Sequence, residues 1–277
     1  MKEKKNHFFR TLFFVLILLF ILIFLYGRYI ETNNILVNEY EIKNNNIPNS
    51  FNNFKIAHFS DVLYDSKDDL DKLKEVVTKI NDKKVDIVIF SGDLIKKDYN
   101  TSQKEIDKIT KELSKIKAKY GKYYVTGDND KKNELYDSIM QNSEFASLNN
   151  FFDNIYSEQN ENILLIGLDN KIDTSILTNI INDNNSNYKI LVFHESDSFK
   201  EIKSYDVNLV LSSNSLNGQI NIPGIKKLFL NNNSNEYYEP YYKKNKKDFY
   251  ISNGIGNDKI DFRLLNNPSI NIYVLKK

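Results

Sequence analysis

Cysteine is absent from this chain of 277 residues, and histidine occurs only 3 times. The absence of cysteine excludes disulfide bonds, zinc–thiolate sites and catalysis by a thiol. A charge excess is also missing, because 38 basic residues face 37 acidic ones and the net charge is +1. Without a global positive field to attract phosphate backbones, nucleic acid is not an expected partner.

Charge is also absent from residues 11–27, where leucine, isoleucine, phenylalanine and valine dominate. With its flanking aromatic residues, this run reaches the ~20 residues that a helix needs to cross a membrane. A cleavable signal peptide is the alternative, but no small-x-small cleavage pattern follows the run. We therefore predict an uncleaved anchor at residues 11–29. Basic residues within 1–10 predict a cytoplasmic N-terminus, one crossing of the cell membrane, and an extracytoplasmic C-terminal domain.

The remaining sequence divides into a connection and one domain. Residues 30–53 are polar and form the predicted juxtamembrane connection, with a strand-like piece at 35–42. Over residues 54–277, apolar runs typical of buried strands alternate early on with amphipathic patterns typical of helices. This alternation predicts an α/β fold with parallel strands first and more antiparallel pairing later. The predicted later strands include one at residues 227–230.

Five loops that follow predicted strands carry polar side chains. The first three contain Asp61, Asp93 and Asp128, and the last two contain His194 and Asn214. In open α/β sheets, ligands gather beyond the carboxyl ends of the strands, so these loops should converge on one crevice. A single Gly-Asp turn is usually explained by helix capping, but five such loops in this order form a much more specific pattern.

The order of these loops resembles that of the calcineurin-like metallophosphoesterases, whose loops read D-x-H, G-D-x-x-D, G-N-H-D/E, a lone H and G-H-T-H. The resemblance is greatest to the membrane-anchored, cell-envelope branch of that family, and it covers residues 35–277. It implies a calcineurin-like sandwich of two β-sheets flanked by helices. It also implies two metal ions, ~3.5–4 Å apart, that together drive hydrolysis of a phosphate ester.

Several positions depart from the family pattern. Leu63 and Leu216 stand where the resemblance implies ligand histidines, and leucine cannot coordinate a metal. Asp128 replaces a ligand asparagine, and Asn214 replaces a further ligand histidine. Asn129 stands at the position of the catalytic histidine, and its amide cannot act as a proton donor near neutral pH. These departures predict a degraded dimetal site.

Of the two implied metal positions, the first has lost two ligands to Leu63 and Leu216, and only the second keeps a full set of donor atoms. We predict at most one tightly bound divalent ion, held by Asp93, Asp128, His194 and Asn214, with Asp61 nearby. The donors favour Mn, Mg, Ca or Fe over a metal that prefers soft ligands. Two carboxylates ~4 Å apart repel by about 4 kcal/mol at an effective dielectric near 20. Relief must therefore come from a bound ion, from raised pKa values or from loops that splay apart.

Three functions are compatible with this pattern. The favoured one is a weakly active or inactive protein, a pseudoenzyme, that binds a phosphate-containing envelope ligand or a protein. The alternative is a residual one-metal phosphoesterase that acts on an extracytoplasmic phosphate ester. A structural relic without a ligand ranks last, because clustered aspartates argue for a cation.

Overall fold

The computed structural model describes residues 2–133, 135–169 and 172–277. Within these ranges the helices are α1 (Lys2–Leu25), α2 (Lys67–Asp82), α3 (Gln103–Leu113), α4 (Tyr136–Asn142), α5 (Thr174–Asp183) and α6 (Phe199–Ile202). The strands are β1 (Leu36–Lys43), β2 (Lys55–Phe59), β3 (Ile87–Phe90), β4 (Gly121–Tyr124), β5 (Phe145–Ser147), β6 (Phe151–Tyr156), β7 (Asn162–Gly167), β8 (Lys189–Glu195), β9 (Leu209–Ser213), β10 (Tyr241–Lys244), β11 (Lys247–Ile251) and β12 (Ser269–Lys276).

The strands form two sheets of six. Sheet 1 has the order β1-β12-β2-β3-β4-β5, in which β12 and β2 pair antiparallel and the other neighbours are parallel. Sheet 2 has the order β10-β11-β9-β8-β7-β6, with antiparallel pairs at its two edges. Its four central strands are parallel. Each antiparallel pair involves a strand from the later part of the chain, namely β6 with β7, β10 with β11, and β12 with β2. This confirms the prediction of parallel strands first and more antiparallel pairing later, although α5 and α6 still connect parallel strands within sheet 2.

Apolar side chains fill three layers. The middle layer lies between the sheets and contains Ile87 of sheet 1 together with Ile190 of sheet 2. An outer layer packs α2, α3 and α4 against sheet 1, with Leu73 and Ile109 among its buried members. The other outer layer packs α5 and α6 against sheet 2. This arrangement confirms the predicted α/β sandwich of two sheets flanked by helices.

Two of the helices on sheet 1, α2 and α3, begin at capping boxes. Ser102 and Glu105 form a capping box at the start of α3, in which the Ser102 backbone N–H donates to Glu105 Oε2 at 2.9 Å. Ser66 and Asp69 form a second capping box before α2. These boxes satisfy backbone N–H groups that the first helical turn leaves without a partner.

The predicted strand at residues 227–230 is wrong, since a 3-10 helix occupies Lys226–Phe229. The Lys226 side chain is buried and its ammonium contacts Glu239 at 2.8 Å, whereas Leu228 is mostly exposed. This contact and the exposed Leu228 are features of a surface turn rather than of a strand within a sheet. The missed strands β5, β6 and β10 are short or carry mostly exposed side chains, so their apolar pattern is weak.

The N-terminal helix is joined closely to the domain. α1 is one apolar helix long enough to cross a membrane, and it continues into a π-helix at Tyr26–Ile30. Gly27 lies so close to the Phe262 ring that a side chain there would overlap it. The chain then enters β1, the edge strand of sheet 1. The predicted connection at residues 30–53 therefore supplies one strand of the sandwich.

Candidate metal centre

Three of the predicted site residues meet at the carboxyl ends of the strands. Asp61 follows β2, Asp93 follows β3, and His194 is the penultimate residue of β8. One carboxylate oxygen from each aspartate and one imidazole nitrogen lie within 4.8 Å of one another. All three side chains are buried. The crevice thus forms where the two sheets bring their strand ends together.

Both aspartates sit in left-handed backbone conformations. The φ angle is 48° at Asp61 and 61° at Asp93, a region that costs a residue with a side chain roughly 1–3 kcal/mol. The strain is held by hydrogen bonds: the Asp61 N–H donates to the Gly92 carbonyl at 2.8 Å. Gly127 packs so closely on the Asp93 carboxylate that a Cβ at this position would overlap it.

The Asp130 carboxylate stabilises the turn that carries Asp93, a role that the sequence reasoning did not assign. Its carboxylate accepts backbone N–H groups from Asp93 at 2.6 Å, Leu94 at 2.9 Å and Gly127 at 2.9 Å. Burial raises the pKa of Asp130 to about 7, against these hydrogen bonds. The signal in the sequence that could have identified Asp130 is its position in the same loop as Asp128 and Asn129.

The imidazole ring of His194 is oriented by a hydrogen bond from Nδ1. Nδ1 lies 2.7 Å from the Ser91 carbonyl and donates to it, so Nε2 faces the aspartates, 3.4 Å from Asp93 Oδ2. Burial lowers the pKa of His194, but the charges of Asp93 and Asp61 outweigh it and hold the pKa well above its usual value. A histidine fixed through one nitrogen to a carbonyl presents the other nitrogen in the manner of a metal ligand.

Two buried polar atoms in this group have no hydrogen-bond partner within the described part of the chain. They are Nε2 of His194 and Oδ1 of Asp61, and both belong to the group whose ligand atoms converge. Burial raises the pKa of Asp61 to about 7, with a further contribution from Asp93. A single cation bound by Asp61, Asp93 and His194 would satisfy both atoms and offset the carboxylate repulsion. The donors present therefore fit one divalent ion.

The other two predicted ligands each contact a further residue. Asp128 is exposed, and its carboxylate interacts with Glu195, whose pKa is raised to about 7 by burial and by that neighbour. The Asn214 side-chain amide donates to the carbonyl of Asn232 at 2.7 Å. Asp128 thus lies outside the converging group of carboxylates and imidazole, and the assignment of Asp128 and Asn214 as ligands stays a prediction.

Asn129 contacts the metal group through Asp93 rather than through a substrate position. Its backbone N–H donates to Asp93 Oδ1 at 2.9 Å, and its side-chain amide donates to Asp93 Oδ2. Oδ2 is also the oxygen nearest His194 Nε2. The amide of Asn129 therefore competes with a metal ion for this carboxylate oxygen.

Hydrocarbon occupies the place of the two implied histidines. Leu63 and Leu216 are both buried and both have left-handed backbones, with φ of 49° and 47°. Gly254 packs against Leu216, and Gly256 packs against Leu63, each so closely that a Cβ would overlap its neighbours. Tightly packed leucine side chains, which offer no donor atom, therefore stand at the two loop positions where the resemblance implies histidines.

A cleft of about 530 Å³ opens beside the group and includes Asp93 in its wall. Its lining also includes three lysines, Lys97, Lys131 and Lys259, together with amide side chains. Lys131 pairs with Asp169 at 3.2 Å, and the Lys259 ammonium donates to the Leu230 carbonyl at 2.7 Å. The sequence reasoning missed these lysines, because nothing local distinguishes them among 38 basic residues.

The family model described as calcineurin-like phosphoesterase matches residues 54–267. The chain belongs to the calcineurin-like phosphoesterase family. It is 29% identical, over 258 residues, to the uncharacterized metallophosphoesterase YkuE of Bacillus subtilis (strain 168), covering 91% of this chain and 89% of that protein. The two leucines and Asn129 described above therefore lie in the loops of a calcineurin-like phosphoesterase.

The solved structures similar to this chain include one protein of animal origin and one of bacterial origin. A dimetal phosphatase from Danio rerio has a TM-score of 0.44 at 10% identity, covering 74% of this chain and 88% of that one. The calcineurin-like phosphoesterase YfkN from Bacillus subtilis has a TM-score of 0.43 at 9% identity, with coverages of 73% and 81%. At this level of similarity, neither structure bears on the substrate of this chain.

Proposed function

We propose that this calcineurin-like phosphoesterase is a membrane-anchored pseudoenzyme. It binds a phosphate-bearing envelope ligand outside the cell membrane, holds at most one divalent ion, and hydrolyses phosphate esters weakly or not at all. The observation that carries this proposal is the packing of Leu63 and Leu216 into the first metal position. Leucine offers no donor atom, so this position keeps only Asp61 and Asp93 and would hold a second metal ion poorly.

The catalytic deficit follows from what the side chains can do. A bound divalent ion supplies positive charge that attracts a phosphoryl group, and Asp61, Asp93 and His194 would hold it. Asn129 stands where the family places its acid, and its amide neither titrates near neutral pH nor is free of Asp93. A positioned acid–base group typically contributes ~10²–10⁴ in rate, so its loss alone makes turnover slow.

The charge around the cleft supports a phosphate ligand. Lys97, Lys131 and Lys259 line it, and an ammonium group binds phosphate as a point charge. Asp93 and Asp128 line the same cleft, so a bound divalent ion would favour an anionic ligand further. The lysines lie on three separate loops, which suits a ligand that is held across the opening.

The apolar N-terminal helix supports the anchor. Residues 11–27 are uncharged, and α1 is long and apolar enough to cross a membrane. Its apolar side chains are exposed in the described structure, unlike those of a helix in a domain core.

Metal stoichiometry and hydrolysis of the full chain in detergent test the proposal. We expect no more than one tightly bound Mn²⁺ per chain by elemental analysis after dialysis. We also expect hydrolysis of generic phosphomonoesters and phosphodiesters far below that of a family member with an intact motif set. A matched variant restores the motifs through Leu63→His, Asn129→His, Asn214→His and Leu216→His. Two Mn²⁺ bound to the wild-type chain would contradict the proposal, as would no gain of metal in the restored variant.

The second candidate is a one-metal phosphoesterase. It is favoured by His194 Nε2 and Asp61 Oδ1, two buried atoms without a hydrogen-bond partner that a bound cation would satisfy. Robust metal-dependent hydrolysis by the wild-type chain, abolished by Asp93→Asn, would establish it in place of the pseudoenzyme.

A further inference from the structure

One loop of the domain is packed against the end of the anchor helix. Residues 258–265, here named the docking loop, connect the site region with β12. The Phe262 ring stacks on Phe24 of α1, with centroids 5.9 Å apart and planes 16° from parallel. The Arg263 N–H donates to the Gly27 carbonyl at 3.3 Å. The loop and the anchor thus share one packed contact.

This contact sets the depth of the loop. Phe24 belongs to the uncharged run 11–27, which is the part of the chain apolar enough to lie in a bilayer. A ring stacked on Phe24 must therefore lie at the boundary between acyl chains and head groups. Phenylalanine and leucine side chains of segments that lie on a membrane are buried at this depth.

The neighbours of Phe262 are exposed in a pattern that suits such a boundary. Leu265 is 63% exposed and Ile260 is 42% exposed, although both are large and apolar. Between them, Asp261 pairs with Arg28 at 2.6 Å, just after the uncharged run. Apolar tips beside an ion pair are the composition of a segment that lies at a membrane surface.

We propose that the docking loop inserts its apolar side chains into the lipid bilayer surface and holds the domain against the membrane. The proposal rests on the anchor in the proposed function, since α1 brings the loop to the bilayer. Continuity with α1 through Phe24 and Gly27 identifies lipid as the occupant of this surface. Asp258 and Lys259 of the same loop line the cleft, so docking also sets how close the cleft lies to the membrane.

Single tryptophans in the full chain test the docking, because the natural chain contains 0 tryptophan. The probe is Leu265→Trp in nanodiscs made with lipids brominated on their acyl chains, which quench nearby tryptophan. Tyr156→Trp is the matched control, since Tyr156 is 55% exposed and lies at the end of β6 away from the anchor contact. Leu18→Trp, within α1, reports the anchor itself.

We expect the fluorescence of Leu265→Trp and Leu18→Trp to be lower by about twofold or more in brominated lipids than in unbrominated ones, because both side chains would be buried ~5–10 Å deep or more. The fluorescence of Tyr156→Trp should be the same in both lipids. Quenching of Leu18→Trp alone would overturn the docking and leave the anchor in place. Unquenched Leu18→Trp would overturn the anchor, and docking with it. A circular dichroism spectrum identical to that of the wild-type chain, recorded without Mn²⁺, confirms that each variant is folded.

Discussion

Removing His194 should abolish a stabilisation that Mn²⁺ confers on the folded chain. The ligand atoms of Asp61, Asp93 and His194 lie within 4.8 Å of one another. At that separation two carboxylate charges repel by about 3.5 kcal/mol at an effective dielectric near 20, and a bound divalent ion removes this cost. Mn²⁺ at 100–1,000 times its Kd stabilises the folded state by about 3–4 kcal/mol. His194→Ala removes one of the three donors, so this stabilisation should be lost.

The assay is thermal unfolding with and without Mn²⁺. For a domain of this size, about 3 kcal/mol corresponds to a rise of about 6–12 °C in Tm. We expect that rise in the wild-type chain and less than a third of it in His194→Ala. The difference between the two conditions cancels the cost of deleting a buried side chain, which both measurements share.

His58→Ala is the matched control. His58 is equally buried, lies in β2, and its Nε2 is 2.7 Å from the Ser91 hydroxyl, while burial lowers its pKa to about 3. This packing is that of a core residue. We expect His58→Ala to lose stability but to keep the full Mn²⁺ shift. An unchanged Mn²⁺ shift in His194→Ala would refute the reasoning, because the ion would then bind elsewhere.

Three further predictions concern the turns, the buried arginine and the anchor. Gly127→Ala should cut the Mn²⁺-dependent rise in Tm at least by half, because its methyl group would displace the Asp93 carboxylate; a full rise would contradict the close packing. Arg263→Met should lower the free energy of unfolding in urea by about 3–5 kcal/mol, because the buried guanidinium bonds three backbone carbonyls of the loop 253–256. Its control, Arg28→Met, removes a more exposed ion pair and should cost less than about 1 kcal/mol. Protease added to intact cells without their wall should digest residues 35–277, and complete protection of that region would reverse the predicted orientation.

Part of the secondary structure could be predicted from local sequence patterns. Strands such as β2 and β3 and the capped helix α3 follow from runs of apolar residues and from Ser102, because burial and capping act over a few residues. The prediction of a strand at residues 227–230 is wrong because it used the local apolar pattern alone. The tertiary contact of Lys226 with Glu239 places this segment in a surface turn.

The sequence by itself determined which donors and which leucines stand in the site loops, because strand ends and turn residues are local features. Only the tertiary structure decided which donors meet. Asp61, Asp93 and His194 converge because the two sheets align their strand ends, whereas Asp128 turns outward towards Glu195. Side-chain direction after a turn depends on the backbone angles and on neighbours distant in sequence, as the Asn129 bond to Asp93 illustrates. The same holds for the docking loop, whose contact with α1 joins residues more than 200 positions apart.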